Sequence, residues 1–169
     1  MNKEIAEKGK EGEDAMNDWL KANGLSFVAV CQEPTTFAPL FTYDLKRPDF
    51  LLLLESVGLI AIDAKNYKQS EGGGYTLKLE TELRRAVAFE RLFRIPIWYA
   101  YFSKENEKIV WYWISALKAI EVGQSQTNGT TYEDFLTIKI DHFEKIESNA
   151  DLGKLYTQRL PSLSRIKNI

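Results

Sequence analysis

The stretch from Pro48 to Lys65 constrains this chain more than any other. Pro48-Asp49 leads into five apolar residues, Phe50 to Leu54. A turn follows at Glu55-Ser56-Val57-Gly58, and Leu59 to Ile62 then runs into Asp63-Ala64-Lys65. Two short apolar runs bounded by turn residues predict neighbouring β-strands buried on both faces. A three-residue turn centred on Ser56 sets Asp49 opposite Asp63 on one face, with their Cβ atoms roughly 5 Å apart. Lys65 lies two positions beyond Asp63, so strand alternation points it to the same face. A one-residue slip would send Asp49 to the other side, so the reading rests on register.

Two carboxylates that close repel each other and need a cation between them. An all-oxygen site suits Mg²⁺, which usually binds through one or two carboxylates and a substrate phosphate. Such an ion polarises a phosphoryl oxygen and lowers the pKa of a bound water. A lysine beside it can orient the attacking water or neutralise charge building on the phosphate. The same spacing also fits a plain buried hairpin with an aspartate at one strand start and an ordinary Asp/Lys pair at its end.

Pro48-Asp49, the hydrophobic strand and turn, and Asp63-Ala64-Lys65 together resemble the signature of the PD-(D/E)XK nuclease superfamily. The resemblance implies a restriction-endonuclease-like α/β core and metal-dependent phosphodiester hydrolysis. It also implies Asp49 and Asp63 as metal ligands, Lys65 as the catalytic lysine, and the Ala64 carbonyl facing the metal.

Residues 3 to 23 form the second anchor. Ile5, Gly9, Gly12, Met16, Trp19 and Leu20 recur at helical spacing, and Gly24 is placed to end the helix. Glu13 lies near the edge of that stripe and can lean over the buried face, whereas Glu11 points to solvent. Two inward glycines lower helix propensity by roughly 1 kcal/mol each relative to alanine, which predicts close approach of the helix to another element. Gly9 to Glu13, with Trp19-Leu20 and Gly24, resembles the N-terminal helix of archaeal Holliday-junction resolvases and of the bacterial nuclease-related domain. In those branches a helical glutamate joins the metal site, which maps onto Glu13. The run Asp63 to Lys68 as a whole also resembles the nuclease-related domain.

A chain of 169 residues is most simply one domain, burying roughly 70% of its unfolded surface. We divide it into a core of about 3–115 and a C-terminal extension of about 116–169. The single cysteine, Cys31, excludes an internal disulfide, and nothing suggests a zinc cluster. The N-terminus lacks the apolar core of a signal peptide and no apolar run reaches membrane-spanning length, so a soluble, cytoplasmic setting is expected. A net charge of −2 argues against a protein that coats nucleic acid, but not against a local basic surface beside an acidic site.

Between these anchors the chain reads as alternating elements. Leu25 to Cys31 is a strand, followed by an irregular connection through Pro34 and Pro39. Lys46 and Arg47 either meet a phosphate or form a solvated approach to the strand. Asn66-Tyr67-Lys68 continues the strand, with Lys68 placed for backbone contacts and Tyr67 for packing on a sugar. Gly72 to Gly74 lacks the lysine and hydroxyl of a phosphate loop, which leaves a mobile loop beside the site. Tyr75 to Leu79 is a short strand. Glu80 to Phe93 is a helix with Leu83, Val87 and Phe93 inward. Arg84, Arg85 and Arg91 on its surface suit DNA backbone contacts or ordinary salt bridges. Some resolvase-like branches carry a functional glutamine on this helix. Glu80 or Glu82 stands in the comparable place.

Ile97 to Phe102 and Ile109 to Ile114 pair around a polar turn. Their Trp and Tyr side chains suit a core first, and otherwise base stacking or a dimer surface. Phe135 to Ile140 is another strand, and the lone His142 is expected at the surface. Leu152, Leu155, Tyr156 and Leu160 make a helix-like stripe before a basic tail of Arg159, Arg165 and Lys167.

The expected architecture is therefore α/β, a mixed sheet of four to five strands flanked by helices in a restriction-endonuclease-like core. The expected activity is hydrolysis of DNA phosphodiester bonds, dependent on Mg²⁺ with Mn²⁺ able to substitute, by an endonuclease in which a homodimer is plausible by analogy with the resolvases. The rival expectations are a non-catalytic DNA- or protein-binding module of the same fold and a partner-binding protein whose aromatic strands form an interface.

Overall fold

A computed structural model describes residues 3–36, 38–39, 41, 44–70 and 72–156. The expected contributions of Leu160, Arg159, Arg165 and Lys167 lie outside the described residues. The chain is mixed α/β, built on two sheets. The larger has six strands in the order β1-β2-β3-β5-β6-β9, and the smaller has three in the order β4-β8-β7. The strands are β1 (Ser26–Ala29), β2 (Phe50–Leu54), β3 (Gly58–Lys65), β4 (Gly74–Lys78), β5 (Ile97–Glu105), β6 (Lys108–Ser115), β7 (Gln124–Thr127), β8 (Asp134–Lys139) and β9 (Glu144–Ile146). Helix α1 spans Lys3–Ala22, α2 spans Arg85–Phe93 and α3 spans Ala116–Val122.

The β2–β3 register is the one the hairpin spacing predicts. Phe50 pairs with Ile62 and Leu54 with Gly58, leaving Glu55, Ser56 and Val57 as the turn, with Ser56 left-handed at its centre. The amide of Asp49 donates to the Ile62 carbonyl at 2.8 Å, one residue short of the regular partner, so the regular ladder ends at the Phe50–Ile62 pair. Strand β3 runs parallel to β5, with Asp63 beside Tyr99 and Lys65 beside Tyr101, and every other pairing in both sheets is antiparallel. The β3–β5 connection passes through β4 and α2, as a parallel pair requires.

Alternation along β3 divides the core in two. Ile60, Ile62 and Ala64 pack towards α1, in a cluster with Met16, Trp19, Leu20, Trp111 and Trp113. Ala61 turns the other way, into a layer built with Tyr75, Leu77, Leu83, Phe89, Tyr99 and Tyr101. The aromatic pair of strands is thus mainly core, since Trp111, Trp113, Tyr99 and Tyr101 are all buried.

Four expectations are corrected. Only one inward glycine of α1 makes a close approach. A Cβ on Gly12 would lie 3.0 Å from the Asn66 Cβ, whereas Gly9 is exposed with nothing within 4 Å. The Glu80 to Phe93 helix begins with a π-helical segment, Leu79–Arg84, before α2. The wider turn shifts the phase, so Leu83, Ala86 and Phe89 are buried while Phe93 is exposed. The glycine run is a hydrogen-bonded turn rather than a mobile loop: the Ser70 amide donates to Gly74 and the Ile140 amide to Gly73. Gly74 is obligatory there, because a Cβ would fall 2.1 Å from the Ile138 carbonyl oxygen. Finally, the strand stops at Lys65 instead of continuing to Lys68.

The C-terminal elements complete both sheets. Strand β9 pairs with β6, and β7 and β8 pair with β4. A 3₁₀ segment, Asn149–Tyr156, buries Leu152 and Leu155 against the α1 side of the core. His142 ends a 3₁₀ turn and is half-buried. Among the described residues no helix is long and apolar enough to cross a membrane.

Candidate active site

The carboxyl end of β3, where open α/β sheets commonly place their ligands, gathers the expected site residues Asp63 and Lys65. Asp63 and Lys65 share the face opposite α1 and are, among the described residues, the charged residues most deeply buried, Asp63 at 2% and the Lys65 side chain at 8% exposure. The Lys65 ammonium lies 2.7 Å from Asp63 Oδ1 and donates to Glu82 Oε2 at 2.8 Å. Lys46, 17% exposed, lies 2.5 Å from Asp63 Oδ2 and donates to the same Glu82 oxygen at 2.8 Å. Asp63 Oδ2 has no aligned hydrogen-bond donor. Its compensation is the ion pair with Lys46.

Asp49 holds a different post. Where β2 leaves β3 beyond their last pairing, the Ala64 amide loses its ladder partner, and Asp49 Oδ2 accepts it at 2.7 Å. Glu13 is carried in from α1, whose contact with Asn66 through Gly12 brings the helix over the end of β3. It is close enough to feel the charges of Asp49, Lys46 and Lys65. Glu11 stays exposed and accepts from the Asn66 amide group at 3.1 Å.

The electrostatics separate these groups into two kinds. Burial works against the charge on Glu82, but Lys65 and Lys46 outweigh it and hold the carboxyl down at about 2. Burial likewise opposes the Lys65 ammonium, and the Glu82 carboxylate overcomes it, raising Lys65 above the ordinary lysine range. Asp49 moves the other way: burial raises it, and Lys46, Lys65 and the Ala64 hydrogen bond only partly offset that. Glu13 is also raised, by burial first and then by repulsion from Asp49. Lys46 falls to about 8 through burial and the neighbouring Lys65 charge. Burial is thus the main reason that Glu13 and Asp49 lean towards the protonated form, while Glu82, bonded to both lysines, stays ionised.

The donors are all oxygen, which suits a hard cation such as Mg²⁺ rather than zinc. Among the described residues no three carboxylate, histidine or cysteine side chains close on one point. The two lysines fill the space between Asp63 and Glu82.

The residues expected at a phosphate surface are distributed around this cluster. Lys46 turns inward to Asp63 and Glu82. The Arg47 guanidinium donates to the Thr36 hydroxyl at 2.8 Å. Arg84 is exposed and bonded to Glu80 at 2.8 Å, and it lines a cavity of about 260 Å³ with Arg85 and Asp44. Lys68 is exposed beside a second cavity. Two members of the cluster were not among the expected ligands and catalytic groups. Glu82 is one of the two helix residues standing in place of a glutamine, and the π-turn hides its inward phase from helical spacing. Lys46 sits in an irregular segment where periodicity says nothing about direction.

Comparison with protein-family models, with curated proteins and with solved structures returns no match for this chain.

Proposed function

We propose that this protein is a divalent-metal-dependent phosphodiesterase acting on DNA, with a restriction-endonuclease-like core. The observation that supports this reading is the Asp63–Lys65 pair at the carboxyl end of β3, with Asp49 holding the Ala64 amide between them and Glu13 of α1 near enough to feel the charges of Asp49 and Lys65. Asp49, Asp63, Glu13 and the Ala64 carbonyl are the groups that would hold Mg²⁺ or Mn²⁺. Such an ion supplies charge neutralisation at a phosphoryl oxygen and a more acidic bound water. Lys65 is held protonated by Glu82 and Asp63, so it is a donor and a fixed positive charge, not a general base. In that state it orients a water through its N–H groups and stabilises charge growing on a phosphate. Asp49, in accepting the Ala64 amide, fixes the backbone on which both Asp63 and Lys65 stand. Lys46, lowered only to about 8, is still mainly an ammonium at neutral pH and adds a second positive charge beside Asp63 and Glu82.

One observation favours a non-catalytic module instead: both oxygens of Asp63 already lie against lysine ammonium groups. Incubation with branched, nicked, single-stranded and duplex DNA in Mg²⁺ or Mn²⁺ separates the two. The catalytic reading expects cleavage that chelator stops and that falls at least ~100-fold in Lys65→Ala, with an unchanged circular dichroism spectrum. Equal cleavage by that variant, or none by the wild type on any substrate, contradicts it.

A further inference from the structure

Strand β3 ends at Lys65 beside Tyr101, but β5 continues from Phe102 to Glu105, where among the described residues only β6 pairs with it. The place β3 would have filled is a groove of about 320 Å³, bordered by Tyr67 and Lys68 on one side and by Phe102 and Lys104 on the other. Asn66, Gln69 and Ser103 supply its neutral polar lining, and among the described residues no acidic side chain lines it. Lys68 and Lys104 are exposed, and among the described residues neither is paired with a carboxylate. Lys104 Nζ lies 5.7 Å from the centre of the Phe102 ring. The Tyr67 ring is 49% exposed, and its centre is 5.9 Å from Lys65 Nζ. Tyr67 is therefore the groove residue that neighbours the ammonium group of the candidate active site.

We propose that this groove seats a single-stranded segment of nucleic acid, with a base stacked on Tyr67 and flanking phosphates paired with Lys68 and Lys104. The inference rests on the phosphodiesterase reading for its orientation towards Lys65, but binding itself does not require cleavage. Its volume matches one small-ligand-sized unit rather than a helix of stacked pairs. An accessible aromatic face beside unpaired cations is the recognition chemistry of single strands, whose bases are free to stack. In a duplex those faces are already occupied by neighbouring bases. Deep burial of Asp63 and Lys65 acts in the same direction, because a flexible strand can carry a phosphate below the rim.

Fluorescence anisotropy in chelator, with a labelled twelve-nucleotide oligo(dT) and a blunt duplex of the same length, tests this without cleavage. Tyr67→Ala is expected to weaken oligo(dT) binding roughly 5- to 150-fold and to change duplex binding less than about twofold. Tyr67→Phe should restore the wild-type affinity, which separates stacking from loss of fold. Replacing both Lys68 and Lys104 by Gln should reduce the slope of log affinity against log salt by about 1.4, since each single-strand phosphate contact contributes about 0.7. Oligo(dT) binding unchanged in Tyr67→Ala, an unchanged salt slope, equal losses on duplex and single strand, or no binding by the wild type at low salt would each overturn the proposal. If the wild type binds oligo(dT) as described but cuts nothing in Mg²⁺ or Mn²⁺, the groove assignment stands and the hydrolase reading fails. If DNA is cut but the groove substitutions change nothing, the hydrolase reading stands and the groove assignment fails.

Discussion

Asp63 is 2% exposed and sits between two lysines, an arrangement that costs desolvation and depends on every partner staying in place. Asp49 and Glu13 have no such lysine bridge, and both are pushed towards the protonated form. An acid whose folded pKa is raised binds its proton more tightly when folded. Its contribution therefore favours folding at low pH and is lost as pH rises through the folded pKa. At neutral pH Asp49→Asn should consequently stabilise the metal-free protein, because the amide oxygen still accepts the Ala64 N–H and the burdened charge is gone. We expect its thermal midpoint in chelator to rise by roughly 2–4 °C, about 1 kcal/mol for a chain of this size. The gain should vanish below pH 4. A lowered midpoint at pH 7 would contradict the electrostatic reading.

Lys46 gives a prediction of opposite sign. Its folded pKa of about 8 lies below the ordinary 10.5, so between those values the unfolded chain carries more protons. Stability should therefore rise with pH across the lower part of that window. Urea unfolding at pH 8 and 9.5 checks this: the wild type should gain stability relative to Lys46→Met over the interval. A parallel or opposite trend would mean that Lys46 is held charged by Asp63 and Glu82 as firmly as Lys65 is.

At the level of elements, the hairpin was the most legible part. Phe50 to Lys65 has apolar runs of strand length and a turn of one plausible size, and an error of one residue would bury the wrong face. Its register, and the placing of Asp63 and Lys65 on one face, could be read from spacing. The helix after β4 could not, because a π-helical start breaks the 3.6-residue period that a sequence reading assumes. That is why Glu82 emerges only in the folded chain. Helix α1 was legible in outline, including the lean of Glu13, but spacing could not say which glycine touches another element. The two glycine positions differ sharply in the folded chain. Gly9→Ala should stabilise the protein by up to ~1 kcal/mol, since alanine favours the helix and meets nothing. Gly12→Leu adds a good helix former yet must displace Asn66, and should cost about 1–3 kcal/mol. Denaturant titration of both variants checks the contrast, and equal effects would place α1 farther from β3 than described.

For the molecule as a whole, the division into a core and a C-terminal extension misses how the sheets close. Strand β7 is Gln124-Ser125-Gln126-Thr127, all exposed, with no apolar alternation to mark it. Its pairing with β8 is a backbone matter. Strand β9 is three residues long, yet it covers the edge of β6 and buries Ile146 with Trp111 and Trp113. On the other side, Leu136 and Ile138 of β8 pack in the layer that contains Tyr75 and Leu77. A chain ended at Ser115 should therefore lose cooperative unfolding and expose both layers, visible as increased binding of a hydrophobic dye. A sharp thermal transition in that fragment would show that residues up to 115 fold alone.

The functional reading depends on an acidic cluster that can hold a divalent cation. Calorimetric titration of Mn²⁺ into the metal-free protein at neutral pH, beside Asp63→Asn and Asp49→Asn, measures that directly. The account predicts saturable binding to the wild type that both variants lose. A flat wild-type titration, or equal binding by all three proteins, would contradict it.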